Sequence, residues 1–163
     1  VDSEESTLSG VLRLIYDWEL DDLEKVVELQ LTYQKISPIL DAESTERINN
    51  AFTALEEGSS FRDAVAKFTD DELSKDTGGK IGEISTSSTD WEREIISEIF
   101  ELDEGEYSNV IVSPRGQHIF KVNKIIDDDT RDVSQIFVAF GDIQQMLSER
   151  LDKVAHRAYI EPR

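Results

Sequence analysis

Residues 116–123 read Gly-Gln-His-Ile-Phe-Lys-Val-Asn and carry His118, one of only two histidines in the chain. The histidine sits between a turn glycine and a run of β-branched and aromatic residues, so it stands at the mouth of a strand. Side chains on a strand alternate faces, which gives the imidazole a fixed direction. Its chemistry is that of a hydrogen-bonding group whose charge and tautomer its neighbours set. Other groups of residues with chemical potential say less. Asp70 and Asp71 are adjacent carboxylates, but such pairs are common in loops and give no independent support to glycoside hydrolysis. Gly78, Gly79 and Gly82 flank Lys80, yet no strand precedes them and the Lys-Ser/Thr pair of a phosphate loop is missing. Two widely separated histidines and no cysteine form no recognisable metal-ligand set. His156 lies among charged helix residues and reads as solvated.

The 163-residue chain has a net charge of −19 and 38% apolar residues, enough for a core in one domain plus an appendage. That charge argues against nucleic-acid partners, which need a basic surface, and against anionic lipid. It serves as a solubility surface, or as a preference for basic or unfolded clients. Without cysteine there is neither a disulfide framework nor thiolate chemistry. No run of about 18 apolar residues is present, so no membrane span is expected. The sequence opens Val-Asp-Ser without an initiator Met or a signal peptide, the pattern of a mature form or fragment whose targeting segment has been removed.

Residues 1–9 are polar and acidic and are expected to fray. Residues 11–39 show helical spacing and predict two helices with a break near Tyr16–Leu20, either packing as an amphipathic pair or serving as an arm for clients or a dimer partner. Pro38 and Asp41 punctuate the chain. Asp41 or Ser44 then caps a helix over about 45–57 that Gly58 ends, and Ser60 caps a second over 61–68. Residues 69–80 read as a loop and 81–84 as a short strand. Asp90 caps a helix over 91–100. Strands follow over 107–112 and 118–126, joined as a hairpin through Pro114-Arg115-Gly116, with 127–129 as an exposed acidic linker. A further strand is expected over 133–140. A final helix over about 143–155 has Ile143, Met146, Leu147, Leu151 and Val154 as its apolar stripe, and Tyr159-Ile160 reads as extended. Helices around a small sheet, without strict βαβ alternation, predict an α+β fold.

Three segments occur in order: Thr77-Gly78-Gly79-Lys80-Ile81-Gly82, then Phe100-Glu101-Leu102-Asp103-Glu104-Gly105-Glu106-Tyr107-Ser108, then Gly116-Gln117-His118-Ile119. Together they resemble the parvulin-type peptidyl-prolyl isomerases, whose segments run Gly-Gly-x-Leu-Gly, Phe-x-Leu-x-x-Gly-Glu-x-Ser and Gly-x-His-Ile. The resemblance covers roughly residues 43–126 and implies a small antiparallel sheet surrounded by helices. Such domains open on a strand patterned x-Ser-His-Ile-Leu-Val. No such strand precedes the first helix here; Lys35-Ile36-Ser37 lies in helical surroundings, and the pattern returns as Val133-Ser134-Gln135-Ile136-Phe137-Val138. A circularly permuted arrangement is therefore expected: residues 1–40 as a helical appendage and 41–163 as the parvulin-like domain. Within the latter, residues 132–140 supply the opening strand and 141–163 a C-terminal helix and tail.

On this resemblance His118 matches the second active-site histidine, Gln135 stands where the first would be, and Asp71 takes the acidic position beside them. Ile81, Trp91 and Ile95 fall where relatives line the proline pocket, and Ser113 and Gly116 border the cleft. No cofactor or metal is implied. The implied activity is cis–trans isomerisation of X-Pro bonds in unfolded or exported polypeptides, or, with the chemistry weakened, peptide binding by a chaperone module. Resemblance to secretion-associated bacterial foldases implies an extracytoplasmic or membrane-anchored location, with no membrane contact by this segment.

Overall fold

The computed structural model describes the backbone of residues 2–160 and the side chains of residues 8–153. The chain forms two compact units, residues 1–36 and 37–163. The first holds helix α1 (Asp2–Tyr16) and most of α2 (Leu20–Leu40). α1 begins inside the polar stretch expected to fray, which holds no Gly or Pro to break a helix. The break between the helices is as expected: Asp17 takes a left-handed φ of 56°, and Arg13 pairs with Glu19 across the turn at 2.7 Å. Pro38 does not end α2. It sits in the last turn, where its missing N–H costs one i→i−4 bond near the helix end.

In the second unit Asp41 caps α3 (Ala42–Glu56), and Gly58 follows it with φ 93°. Ser60 caps α4 (Phe61–Phe68). The segment expected to be a plain loop contains the one-turn helix α5 (Glu72–Lys75), capped by Asp71. α6 (Arg93–Glu101) starts later than expected, with Glu92 rather than Asp90 at its N-cap and no side-chain capping bond. α7 (Ile143–Ile160) continues through Tyr159-Ile160, which were expected to be extended. Its apolar stripe is only partly used: Ile143 is buried, whereas Leu147 and Leu151 are exposed. The side chains of Val154 and His156 lie outside the described residues.

The strands are β1 (Lys80–Ser85), β2 (Ile111–Ser113), β3 (Gly116–Asp127) and β4 (Thr130–Ala139). They form one antiparallel sheet in the order β1-β4-β3-β2. β2 is shorter than the strand expected over 107–112; Tyr107 makes only an isolated bridge to Lys121. The acidic stretch at 127–129 is the tight turn of the β3–β4 hairpin, where Asp127 accepts from the Asp129 N–H at 2.9 Å.

Register decides which residues share a face. In the β3–β4 ladder Ile119 pairs with Ile136 and Gln117 with Val138; His118 pairs with Phe137 and Phe120 with Gln135. One face therefore carries Ile119, Ile136 and Val138, which pack with Ile48, Ala51, Leu55, Phe61 and Val65 of α3 and α4. The opposite face carries Phe120, Val122 and Val133, which pack with Ile95, Ile96 and Ile99 of α6. Burying these apolar faces supplies the main driving force for folding. His118 and Gln135 share the α6 face.

Candidate active site

Four polar side chains lie in one hydrogen-bonded row. Gln135 Nε2 donates to Asp71 Oδ2 at 3.2 Å, Gln135 Oε1 lies 3.0 Å from His118 Nδ1, and Ser113 Oγ lies 2.8 Å from His118 Nε2. Each comes from a different element: the cap of α5, β4, β3 and β2. All but Asp71 are buried as whole residues.

The scaffold around the row is specific. Thr69 and Asp70 run beside the end of β4, with Asp70 N–H donating to Phe137 O at 2.7 Å and Phe137 N–H to Thr69 Oγ1 at 3.1 Å. Asp70 is in turn clamped by Arg47 at 2.6 Å and accepts from the Ala139 N–H at 3.0 Å. These bonds place the next residue, Asp71, over β4. On the other side the Gln135 N–H donates to Gly79 O at 2.8 Å. Gly79 has φ 81°, and a Cβ there would collide with Gln135 O and Val65 Cγ2. Gly116 performs a similar service: a Cβ would strike Val138 O and lie 2.7 Å from Phe137 Cε2. The glycine lets β3 enter close to β4 two residues before His118.

The imidazole is enclosed by aromatic rings. Phe120 stacks on it at 5.3 Å between centroids, Phe137 at 4.7 Å, and Trp91 meets it edge-on at 5.6 Å. A cavity of about 360 Å³ opens beside the row and is lined by Asp70, Asp71, Glu72, Leu73, Arg115, His118, Gln135 and Phe137. A family model described as the PPIC-type PPIase domain, or rotamase, matches residues 31–124. The chain belongs to the PPIC-type peptidyl-prolyl isomerase (parvulin) family. It is also 28% identical over 131 residues to the foldase protein PrsA of Oceanobacillus iheyensis, a match covering 80% of this chain and 41% of that protein. The chain thus spans about two fifths of the length of this relative.

In this PPIC-type domain the residues expected from sequence fall into two groups. Asp71, Gln135, His118 and Ser113 are brought together in the row, and Gly116 sets the approach of its strands. Ile81, Trp91 and Ile95 stand apart from the cavity. Ile95 is buried in the α6 core, and Ile81 and Trp91 are partly buried against it. Trp91 alone reaches His118, and it also meets the Phe120 ring edge-on at 5.2 Å. Arg115 lies 5.6 Å from the Trp91 ring. Sequence reasoning missed Phe137, Arg115, Glu72 and Leu73 at the cavity. Phe137 was within reach, since it lies two residues beyond Gln135 and so shares its face.

Electrostatics follow from this packing. Burial pushes the His118 pKa down to about 4, against a raising hydrogen bond from Gln135, and nearby Arg115 adds to the depression. The imidazole is neutral at neutral pH. For Asp71, partial burial opposes ionisation, but hydrogen bonds from Ser74, Gln135 and the Leu73 and Ser74 amides outweigh it. They hold the carboxyl below its ordinary range. The row therefore combines an ionised carboxylate with a neutral imidazole in a partly dry cleft. Its charge lies at the Asp71 end, while the His118 end stays uncharged.

Proposed function

We propose that this domain catalyses cis–trans isomerisation of X-Pro bonds in unfolded or exported polypeptides. The observation that carries the reading is the Asp71–Gln135–His118–Ser113 row bordering an open cavity. Rotation about an X-Pro bond is slow because amide resonance resists twisting by about 18–20 kcal/mol. No covalent step is required. The twisted amide is less polar across C–N, so a water-poor apolar surface favours it over the planar form. In this reading Phe137 and Leu73 supply that surface beside the imidazole, and the row fixes the carbonyl's direction. The foldase relative supports polypeptide clients; an extracytoplasmic or membrane-anchored setting is part of the same proposal. Among the described residues no helix is long and apolar enough to cross a membrane.

The strand order supports a permuted domain. β4 lies between β1 and β3, the family match ends at residue 124, and β4 falls outside it. In this reading β4 takes the place of the strand that opens a parvulin domain, residues 1–40 form a helical appendage, and the region after β4 adds a helix and tail.

A second reading is a peptide-binding chaperone module with weak catalysis. Trp91, packed against both His118 and Phe120, favours it by filling apolar space on that side of the imidazole. The deciding experiment is the isomerisation rate of unphosphorylated X-Pro peptides, measured by exchange NMR. Catalysis that falls by about tenfold or more in Asp71→Ala, as loss of its charge-assisted bond to Gln135 predicts, supports the isomerase. Peptide binding without rate enhancement supports the chaperone.

A further inference from the structure

We propose that Gln135 is a positioning residue that locks the His118 imidazole in the tautomer bearing its proton on Nδ1 and, having no proton of its own to gain or lose, adds no titration near neutral pH to the polar end of the cleft. The proposal rests on the isomerase reading only for its catalytic consequence; the lock itself is a matter of hydrogen-bond polarity.

The direction of every link is forced from one end. An ionised carboxylate only accepts hydrogen bonds. Asp71 Oδ2 already takes the Ser74 hydroxyl at 2.5 Å, and Asp71 Oδ1 takes the Leu73 N–H at 3.2 Å. The Gln135 group facing Oδ2 must therefore be its NH₂, because a flipped amide would set two acceptor oxygens against each other. That orientation turns Oε1 toward His118 Nδ1 at 3.0 Å, and an acceptor there requires the proton on Nδ1. Nε2 is then bare and takes the Ser113 hydroxyl at 2.8 Å. Ser113 is free to give that proton, since its oxygen accepts from the Arg115 N–H at 3.2 Å and its alternative acceptor, Gly116 O, is farther away at 3.3 Å. The donors thus run one way, from Ser113 to Asp71.

Among the described residues, the charged groups lining the cavity beside the ring are Asp70 and Asp71 from the segment leading into α5, Glu72 at the start of α5, and Arg115 from the β2–β3 turn. β4 contributes Gln135 and Phe137, and the segment before α6 contributes Trp91, all uncharged. A glutamine neither gains nor loses a proton in this range. A histidine at the same place could, and the two rings could then share a proton in either direction.

The test uses the whole chain. Long-range proton–nitrogen spectra of ¹⁵N-histidine-labelled protein report the His118 tautomer from about pH 5 to 8, and kcat/KM on an X-Pro peptide is measured in the same buffers. The expected result is the Nδ1–H tautomer throughout and a kcat/KM that varies less than about twofold. Gln135→His should introduce a pH dependence of more than about fivefold with a midpoint between about 5.5 and 7.5. Gln135→Leu should yield a tautomer mixture. An Nε2–H tautomer in the unaltered protein, or a midpoint near neutrality in its own profile, overturns the proposal. The tautomer spectrum needs neither a variant nor activity. Absence of isomerisation alone would therefore refute the isomerase reading and leave the lock to be judged on its spectrum.

Discussion

Gly141 donates its backbone N–H to the Asp41 carboxylate at 2.9 Å, across a separation of 100 positions in the chain. The same carboxylate caps α3 by accepting from the Ser44 N–H at 3.0 Å. The exit of β4 thus lies at the entry of α3, which is where a strand leading directly into that helix would end. Burial opposes ionisation of Asp41, but bonds from Gly141 and Ser44 and the nearby Arg47 hold its carboxyl below the ordinary range. Asp41→Ala should cost about 3 kcal/mol, more than a typical cap, because two charge-assisted bonds go at once. Asp41→Asn should cost about 1 kcal/mol, since the amide oxygen still accepts. Urea unfolding of both variants checks the pair, and equal small losses would mean that the Gly141 bond contributes nothing.

Stability should fall on mild acidification, and His118 is the reason. Its folded pKa is about 4 against an ordinary 6.5, so below pH 6.5 the unfolded chain takes up a proton that the folded chain refuses. The contribution is fully present above pH 6.5 and is lost as pH falls through about 4. The whole change amounts to about 3 kcal/mol. His118→Phe should flatten this limb of the stability–pH curve. Parallel curves for the two proteins between those pH values would count against the buried neutral imidazole.

Adjacent glycines should respond differently to alanine. Gly78 and Gly79 both have positive φ, at 77° and 81°. A Cβ on Gly78 meets only the flexible Arg62 side chain, nearest at 3.4 Å, so Gly78→Ala should cost about 1 kcal/mol from backbone strain alone. A Cβ on Gly79 meets the Gln135 carbonyl. Gly79→Ala should cost upwards of about 3 kcal/mol and displace β4, so that NMR cross-peaks between His118 and Gln135 disappear. Thermal melts with similar shifts for the two would show that β4 can yield.

Trp91 should report on peptide. The chain has two tryptophans, Trp18 and Trp91, so a Trp18→Phe background isolates the second. X-Pro peptide should change Trp91 emission, and Trp91→Ala should weaken peptide affinity by roughly tenfold or more, as expected for an aromatic anchor. Emission that stays constant while the isomerisation rate responds to peptide would place Trp91 in the core and outside the cleft.

Much of the fold was legible because several local signals agreed. Ser60 followed by Phe61, Val65 and Phe68 combines a cap with one apolar face, and the helix forms over the expected residues. α5 escaped notice because a single turn is too short to show a period. The strand was drawn too early, since after the isolated Tyr107–Lys121 bridge the continuous ladder with β3 starts only at Ile111. Leu147 and Leu151 have the spacing of a buried stripe yet are exposed, because periodicity does not say what a face packs against. For the site, the motifs around His118 pointed to Asp71, Gln135 and Ser113. The cavity's Arg115, Glu72 and Leu73 come from turns and a short helix that are placed by tertiary bonds and carry no motif.

The tight turn between β3 and β4 bears on how the cleft is made. His118 and Gln135 sit on strands that follow one another directly in the chain, so their meeting closes a small loop and belongs to a hairpin that can form early. Asp71 lies 64 positions from Gln135 and must arrive through a much larger closure. The imidazole–amide half of the row is therefore a local product of the chain, and the carboxylate joins it only when the helical layer docks. The charge that gives the row its direction thus arrives from far along the chain, while the pair it orients is set by neighbouring strands.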